Sequence, residues 1–432
     1  MRTVVWNEIS DAERRLVLGR PARSYDADLR ETVAAILRDV KVRGDEAVKD
    51  FARSLDDFAD SDFRVQSSEI MESPEGIDRQ LRGAMERAIA NLSAFHAAQL
   101  PRTIRVETMP GITCELHWHP VERVGFYVPG GTAPLFSSLL MQAIPARIAG
   151  CTDSILCTPP QRDGRVHPAI LAAAKLCGIE NIYAIGGAQA IAAMAYGTAT
   201  IPKVDKISGP GNAFVTSAKQ MVAQDPAGAA IDLPAGPSEV MVVAEVSARP
   251  DWIAADLLAQ AEHGLDAHAL FVTTSATLAA SVQADIHAQT AGLRRRAIVE
   301  TSLNSGSIIV VPNMQTAIGI VNRYAPEHLI LHDDDADSWL PEIRHAGSIF
   351  LGRYSPETAG DYASGANHVL PTGGLARAYG GITVFSFLKS MTVQRLQPEG
   401  LQNLGPALIA MAEAEGLQAH ANAVSIRLRA AA

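Results

Sequence analysis

The sequence lacks the segments that would place a protein in or across a membrane. Nowhere in its 432 residues does a run approach the roughly 18 consecutive apolar residues that a membrane-spanning helix needs. The amino terminus reads MRTVVWNEISDAERR, and polar side chains interrupt the stretch where a signal peptide has its apolar core. We therefore expect a cytoplasmic protein with no membrane partner.

Cysteine and net positive charge are also scarce. The four cysteines include no CxxC pair, so they indicate neither a disulfide framework nor a thiolate zinc site. The formal net charge is −10, which would on average repel a nucleic-acid backbone. The remaining composition, 47% hydrophobic and 19% charged, is typical of a soluble globular protein, and the length suits roughly two to four domains.

Strands and helices are predicted to alternate from about residue 124 onward. The first series contains the short apolar runs VGFYV, SILCTPP, NIYAIGG and VDKISGPG, each followed by a helical segment. A second series begins at Ser238 and contains EVMVVAE, HALFVTT, SIIVVP, HLILH and SIFLG. This alternation predicts an α/β fold with two stacked parallel-sheet domains. We expect the residues up to about 115, and those after about Leu388, to be mostly helical.

Three glycine turns open predicted helices: GGTAP at 130–134, GGAQA at 186–190 and GPGNA at 209–213. Backbone N–H groups at such turns can bind an anion such as a pyrophosphate. None is the GxGxxG dinucleotide fingerprint, so a tight turn is the simpler interpretation of each one alone. The three turns together favour a nucleotide site.

Two short motifs carry side chains suited to metal binding and proton transfer. In QAEHG, Gln260 and His263 share one helix face, where an amide oxygen and an imidazole can bind zinc. A solvated helix face is nevertheless the commoner meaning of this spacing. In APEHL, Glu327 and His328 are bases of different strength, but they reach one cleft only if Pro326 introduces a bend before the strand.

A loop at 355–374 is rich in glycine and small residues, and long ordered loops in compact domains are usually functional. It offers Asp361 as an oxygen ligand, and Asn367 and His368 as further polar groups. Spacing alone does not tie these residues to the earlier motifs.

Other candidate groups are better explained as structural residues than as metal ligands or catalytic residues. His117 and His119 share a strand face, but no third metal ligand lies nearby, so an exposed strand face is favoured. Cys151 and Cys157 flank a predicted strand and could serve a thiol-dependent aldehyde dehydrogenase. Neither has an adjacent base, which favours buried structural thiols.

The combined motifs resemble the histidinol dehydrogenase family over most of residues 120–430. The matching segments, in the family's order, are GFYVPGGTAPLFSSLLMQAIPA, AIGGAQAIAAMAYGT, ISGPGNAFV, IDLPAGPSEV, DLLAQAEHG, YAPEHL, AGSIFLG, GDYASGANHVLPTGG and EGLQAHANAVSIRL. The amino-terminal third is similar more loosely, through VRGDEAV. One departure is His268, which stands where the family more often has a neutral polar residue.

The resemblance implies two incomplete Rossmann-like domains with helical arms at both ends. A larger discontinuous domain would comprise residues 25–126 and 238–382, and a second domain residues 127–237. Residues 1–24 would form an amino-terminal arm. Residues 383–432 would form a helical tail that is exchanged between the two subunits of a homodimer.

The resemblance also implies an activity and a set of site residues. The family oxidises L-histidinol through the aldehyde to L-histidine in histidine biosynthesis, with NAD and one Zn²⁺ per subunit. The positions that match the zinc ligands are Gln260, His263, Asp361 and His420. The positions that match the acid–base residues are Glu327 and His328. The positions that match the substrate-binding residues are Ser238, Gln260, His263, His328, Asp361, Glu415 and His420. The positions that match the NAD contacts are Tyr127, Gln189 and Asn212.

Three alternatives stay open at the level of sequence. A sibling dehydrogenase on the same scaffold could oxidise another small alcohol such as sulfopropanediol, although Ser238 and Glu415 favour a cationic substrate. A non-catalytic zinc- or nucleotide-binding regulator would not need both Glu327 and His328. A thiol-dependent aldehyde dehydrogenase would depend on Cys151.

Overall fold

The computed structural model describes residues 1–20, 27–55, 63–130, 134–233 and 236–430. In these ranges the strands are β1 (Arg2–Val5), β2 (Ile104–Met109), β3 (Ile112–Pro120), β4 (Arg123–Tyr127), β5 (Asp153–Thr158), β6 (Asn181–Ala184), β7 (Lys206–Ser208), β8 (Ala230–Ile231), β9 (Glu239–Ala244), β10 (His268–Thr273), β11 (Ser307–Val310), β12 (His328–Leu331), β13 (Ser348–Leu351) and β14 (Leu388–Leu396).

The helices in the same ranges are α1 (Asp11–Val17), α2 (Ala27–Arg43), α3 (Asp45–Leu55), α4 (Ser67–Glu72), α5 (Arg79–Ala97), α6 (Phe136–Ala149), α7 (Pro168–Cys177), α8 (Gly187–Tyr196), α9 (Ala213–Gln224), α10 (Pro250–Ala261), α11 (Ala276–Thr290), α12 (Arg296–Leu303), α13 (Met314–Tyr324), α14 (Ala336–Trp339), α15 (Glu357–Tyr362), α16 (Pro398–Ala414) and α17 (Gln418–Ala430). Among these helices, none combines the length and the apolar character needed to span a membrane.

Local sequence signals set many of the helix ends. Ser10 and Glu13 form a reciprocal capping box, in which each side chain accepts a hydrogen bond from the other's backbone N–H. Helices α6 and α7 end at Gly150 and Gly178, whose φ angles of 96° and 81° are those that glycine adopts without strain.

The large sheet has six parallel strands in the order β1-β11-β10-β9-β12-β13. All residues of β9, β10 and β12 are buried, because helices cover a parallel sheet on both faces. Their side chains are accordingly apolar apart from those of Glu239, His268, Thr273 and His328. The predicted amino-terminal arm supplies the edge strand of this sheet through Arg2–Val5.

The small sheet has five parallel strands in the order β6-β5-β4-β7-β8. Four of its strands are those of the first predicted series, and the edge strand β8 was not predicted. Helix α8 lies against it and is buried from Ala188 to Ala195, which explains why its sequence is alanine-rich on every face. The predicted α/β class with two parallel sheets is therefore confirmed.

A third sheet was not predicted. Strands β14, β3 and β2 form an antiparallel sheet in which β14 pairs with β3 from Leu388↔Pro120 to Leu396↔Ile112. The expectation of mostly helix up to about residue 115 and after about Leu388 was wrong at these strands. The physical reason is that these segments form strands by pairing with residues far away in the chain, which local periodicity does not report.

The strands of the small sheet lie between Arg123 and Ile231, and those of the large sheet lie in Arg2–Val5 and between Glu239 and Leu351. Strand β4 thus begins before the predicted domain boundary at residue 127. The division into a discontinuous domain, a second domain and two arms stays a prediction.

Candidate active site

A cavity of about 170 Å³ is lined by residues that belong to both parallel-sheet regions. Ser137 and Ser138 of α6 follow the small sheet's strand β4. Ser238, Glu327 and His328 lie at the amino ends of β9 and β12 in the large sheet. The predicted acid–base pair therefore faces a space that segments from both sheets enclose.

A bend places both members of this pair at the cavity. Ala325 has φ of 55°, and among the described residues it is the one non-glycine with positive φ. Such a conformation costs about 1–2 kcal/mol, and Pro326 follows it directly. Glu327 then precedes β12 instead of lying within it, so Glu327 and His328 do not take the opposite faces of a regular strand.

The Glu327 carboxylate is buried and held by two donors. Its Oε2 accepts a hydrogen bond from Ser238 Oγ at 2.7 Å and from the Glu239 backbone N–H at 2.8 Å. Burial raises the pKa of Glu327 well above its usual value, while these two hydrogen bonds oppose the shift. Glu327 is consequently a stronger base than a solvated carboxylate. Ser238, predicted to bind substrate, still has lone pairs with which to accept a hydrogen bond.

The His328 ring is fixed by its backbone neighbour. Nδ1 lies 3.1 Å from the Glu239 carbonyl oxygen, which can only accept, so Nδ1 carries the hydrogen. Nε2 is buried with no hydrogen-bond partner among the described residues and lies 3.8 Å from Asp361 Oδ1. Burial lowers the pKa of His328 to about 4, so the ring is neutral near pH 7. Its Nε2 is free to accept a proton.

Two of the predicted zinc ligands lie close together. His263 Nε2 is 3.9 Å from Asp361 Oδ2, and His263 Nδ1 lies 3.0 Å from the Ala259 carbonyl oxygen. The second contact leaves Nε2 as the atom available to a metal. Among the described residues, His263, Glu357 and Asp361 have candidate ligand atoms within 4.8 Å of one another.

Gln260 lies one turn before His263 and is fully buried. Neither its Oε1 nor its Nε2 has a hydrogen-bond partner among the described residues. A buried amide left in this way costs free energy, roughly 1–3 kcal/mol, and a metal bound through Oε1 would remove part of the cost. The residues present therefore fit a divalent metal ion.

Sequence analysis missed Glu357, which is fully buried and has no hydrogen bond to either carboxylate oxygen among the described residues. Its Oε1 lies 3.5 Å from His328 Nδ1. Burial raises the pKa of Glu357 well above its usual value, and the nearby Asp361 and Glu327 carboxylates add to the shift. The signal for it was the spacing of four between Glu357 and Asp361, which puts both on one face of α15.

The loop residue His368 connects the two sides of the cavity. Its Nδ1 lies 2.7 Å from the Asp361 carbonyl oxygen, and its Nε2 lies 3.3 Å from Ser138 Oγ. Because a carbonyl only accepts, Nδ1 donates and Nε2 accepts the serine hydroxyl hydrogen. Asn367 is buried beside it and donates to the Met141 carbonyl oxygen.

The two predicted tail residues lie elsewhere. Glu415 caps the end of α16, His420 belongs to α17, and both side chains are exposed. The described wall of the cavity does not include them. Their role in a neighbouring subunit stays a prediction.

The predicted NAD contacts lie at the carboxyl ends of strands in the small sheet. Tyr127 ends β4 and accepts a hydrogen bond at its hydroxyl from the Gly187 backbone N–H at 3.1 Å. Gln189 is buried in the first turn of α8. Asn212 caps α9, where its Oδ1 accepts from the Val215 N–H at 3.1 Å. Of the GGTAP turn, residues 131–133 lie outside the described part of the chain.

A buried ion pair holds the GPGNA turn in place. Lys219 Nζ lies 2.5 Å from Asp232 Oδ1 and donates to the Gly209 carbonyl oxygen at 2.7 Å. Asp232 Oδ2 accepts from the Gly209 N–H at 2.8 Å. Gly209 has φ of 131°, and a Cβ there would meet the Tyr127 carbonyl oxygen at 2.1 Å, so no other residue fits.

Replacing Lys219 with Met is expected to lower the free energy of unfolding by roughly 3–5 kcal/mol, because Asp232 would stay buried without its counter-charge. Denaturant unfolding measures this change. The matched control is Lys203→Met, since Lys203 is exposed and donates only to the Ala227 carbonyl oxygen. We expect the control to change stability by less than about 0.5 kcal/mol. Equal losses in the two variants would contradict the role of the ion pair.

The described wall of the cavity does not include the remaining candidates, Cys151, Cys157, His117 and His119. Burial raises the pKa of Cys151 to about 11, which leaves little thiolate at neutral pH, and Cys157 is completely buried. His117 Nε2 lies 2.7 Å from Glu115 Oε2, and the His117 ring is stacked with that of His119, with 6.5 Å between the ring centroids. In the described part of the chain, this strand face does not appear among the groups of three candidate metal ligands.

Comparison with known proteins agrees with the predicted family. The family model "Histidinol dehydrogenase" matches residues 19–428. Histidinol dehydrogenase from Vibrio parahaemolyticus is 48% identical over 428 residues, which cover 99% of this chain and 98% of that protein. The protein of the same name from Xanthomonas campestris pv. campestris is 48% identical over 432 residues and covers both chains completely.

A solved structure is similar in fold along the whole chain. The crystal structure of histidinol dehydrogenase from Elizabethkingia anophelis has a TM-score of 0.95 and 44% sequence identity, and the match covers 100% of this chain and 98% of that one. The segments that carry the resemblance thus lie within a match that extends from end to end. This chain belongs to the histidinol dehydrogenase family.

Proposed function

We propose that this protein oxidises L-histidinol through the aldehyde to L-histidine, with NAD as the hydride acceptor, in histidine biosynthesis. The observation that carries the proposal is the buried Glu327–His328 pair, whose free Nε2 lies 3.8 Å from Asp361 in a cavity of about 170 Å³. The family match over 19–428 supports the choice of substrate.

The metal site would be formed by Gln260, His263 and Asp361, and it would hold Zn²⁺, one ion per subunit. Zinc suits this mixture of amide, imidazole and carboxylate ligands, and when bound it supplies a Lewis acid that orients an amino alcohol. The orphaned amide of Gln260 and the close approach of His263 to Asp361 support this assignment.

His328 would act as the base in the alcohol oxidation. The ring is neutral near pH 7, and Nδ1 is tied to the Glu239 carbonyl, so Nε2 is the atom that accepts the hydroxyl proton as hydride leaves the adjacent carbon.

Glu327 would act in the aldehyde oxidation. Its raised pKa makes the carboxylate a base that can take a proton from water as the water attacks the aldehyde carbon. Ser238 and the Glu239 N–H hold one oxygen, Oε2, which leaves Oε1 to face the incoming water. The two oxidations would thus use two different bases.

NAD would bind at the carboxyl end of the small sheet, near Tyr127, Gln189 and Asn212. Asn212 caps the amino end of helix α9, and the N–H groups at a helix start favour a phosphate. We further propose a cytoplasmic homodimer in which Glu415 and His420 of one subunit complete the site of the other. The exposure of both side chains supports this arrangement.

Two NADH are expected for each L-histidinol consumed, because oxidation of an alcohol to an acid releases four electrons and each NAD accepts two. Exhaustive chelation should abolish the reaction, and added zinc should restore it, because the bound ion would orient the amino alcohol. Absorbance of NADH and metal analysis measure both effects. His117→Ala serves as the control, because His117 lies on a half-buried strand face outside the described wall of the cavity, and its loss should change neither value.

Three results would contradict this proposal. A yield of one NADH for each L-histidinol would contradict the proposed oxidation of the aldehyde. Full activity after chelation would contradict the proposed role of the metal. Faster turnover of sulfopropanediol than of L-histidinol would favour the sibling dehydrogenase.

A further inference from the structure

Glu239 connects the two proposed bases through its main chain. It is the first residue of β9, next to β12 in the large sheet. Its N–H donates to Glu327 Oε2 at 2.8 Å, and its carbonyl oxygen accepts from His328 Nδ1 at 3.1 Å. A shift of this one backbone unit would therefore move both Glu327 and His328.

The Glu239 side chain is itself pinned. It is 3% exposed, and its Oε1 accepts from Arg20 Nε at 2.5 Å and from the Gly373 N–H at 2.8 Å. Its Oε2 accepts from Arg20 Nη2 at 2.8 Å. This bidentate contact fixes the orientation of the Glu239 carboxylate relative to the Arg20 guanidinium, as well as the distance between them. Without it, a buried carboxylate would lie unpaired beside the second buried carboxylate of Glu327.

The Arg20 guanidinium is held from a second direction. It lies over the Tyr324 ring, 3.9 Å from the ring centroid, and Nη2 also donates to the Tyr324 carbonyl oxygen at 2.9 Å. Tyr324 immediately precedes the bend at Ala325. Arg20 thus contacts Glu239, whose N–H binds Glu327. It also contacts Tyr324, which precedes the bend that places Glu327 at the cavity.

His268 supports the same ring. Its Nδ1 lies 2.7 Å from the Tyr324 hydroxyl, and its Nε2 lies 3.1 Å from the Ser305 carbonyl oxygen. The carbonyl accepts, so Nε2 donates and Nδ1 accepts the tyrosine hydrogen. The contacts run without a break from Ser305 through His268, Tyr324 and Arg20 to Glu239.

We infer that Arg20, which lies outside the cavity, is a positioning residue that sets the geometry of Glu327 and His328 through Glu239. It neutralises the Glu239 carboxylate and fixes the backbone unit to which both bases are hydrogen-bonded. This inference rests on the proposed function, because its readout is the oxidation of L-histidinol and of the corresponding aldehyde.

The first test is Arg20→Met, measured with the zinc-loaded enzyme and expressed per bound metal ion. We expect kcat to fall by roughly 10- to 100-fold, since a misplacement of about 1 Å can cost as much as about 100-fold. Both L-histidinol and the aldehyde should be affected, because both bases depend on Glu239. The KM for NAD should not change, because the predicted NAD contacts lie in the small sheet.

Arg14→Met is the matched control. Arg14 belongs to the same amino-terminal segment, donates from Nε and Nη2 to the Trp6 carbonyl oxygen, and lies over the Trp6 ring at 5.2 Å from its centroid. It makes the same kinds of contact without reaching Glu239. Its removal should leave kcat within about two-fold of the parent while thermal unfolding reports any loss of stability.

The second test removes both charges. Glu239→Gln keeps the backbone N–H and carbonyl in place and leaves no buried charge for Arg20 to neutralise. In this background, Arg20→Met should change kcat by less than about three-fold, because interacting residues are not additive. Arg20→Lys, which retains the charge, should keep more activity than Arg20→Met even if both variants are less stable.

Several results would overturn the inference. One is an unchanged kcat in folded, metal-loaded Arg20→Met, and another is a full additional loss in the double variant. A loss confined to the aldehyde step would also contradict it, because that pattern belongs to Glu327 alone. Failure of the parent enzyme to produce NADH from L-histidinol would instead remove the proposed function, so the two failures are distinguishable.

Discussion

Replacing His328 with Asn is expected to lower kcat for L-histidinol by about 10²–10⁴-fold, the range that a positioned general base supplies. The asparagine amide can still donate to the Glu239 carbonyl oxygen, as Nδ1 does at 3.1 Å. It offers nothing at the place of Nε2, which is where the hydroxyl proton would go. Steady-state NADH formation measures the effect, with zinc content determined on the same sample.

The control for this variant is His332→Asn. His332 follows the other end of β12, is 2% exposed, and belongs to the same small class of buried histidines. The described wall of the cavity does not include it. We expect a loss of stability without a comparable loss of kcat. If the two variants lost activity equally, the proton at Nε2 of His328 would not be the reason.

Replacing Glu327 with Gln is expected to separate the two oxidations. The amide oxygen can accept the hydrogen bonds from Ser238 and the Glu239 N–H, so the local geometry is kept. An amide cannot take a proton from water, so oxidation of the aldehyde should slow by about 10²–10⁴-fold while oxidation of the alcohol is spared. The NADH yield in the early phase should approach one for each L-histidinol, with release of the aldehyde.

Glu245→Gln is the matched control, because Glu245 directly follows the opposite end of β9. The two steps should keep their normal ratio in this variant. Equal losses of alcohol and aldehyde oxidation in Glu327→Gln would contradict the division between two bases. Such a result would assign both steps to one group.

Much of the parallel-sheet architecture could be predicted because it depends on local signals. The central residues of the runs EVMVVAE and HALFVTT are apolar, and the structure buries all of β9 and β10. The end of the helix before His328 could also be anticipated, since Pro326 disfavours the helical conformation at the residue before it. The structure has the bend that a shared cleft for Glu327 and His328 requires, with Ala325 at a φ of 55°.

What could not be predicted depends on contacts between distant parts of the chain. Arg20 and Glu239 are 219 residues apart, and Ser138 and His368 are 230 apart. Nothing near Arg20 in the sequence marks it as a neighbour of the active site. The antiparallel sheet was missed for the same reason, since β14 finds its partner β3 only after the chain has folded.

The candidate site residues also differ in whether neighbours in the sequence revealed them. Gln260 with His263 and Glu327 with His328 were visible as pairs, because their members are neighbours in sequence. Glu357 has no such neighbour except Asp361, four positions on, within a segment read as a loop. The structure shows this segment as the short helix α15, which makes the spacing meaningful.

The proposed role of the exposed His420 has a consequence for how the enzyme would behave in a cell. If His420 completes the site of a second subunit, that ligand is available only while the two molecules are associated. When most chains are apart, the concentration of complete sites would rise with the square of the chain concentration. Dilution would then lower turnover per chain at any substrate concentration. Total activity would therefore stay low until enough protein had been synthesised for the chains to associate.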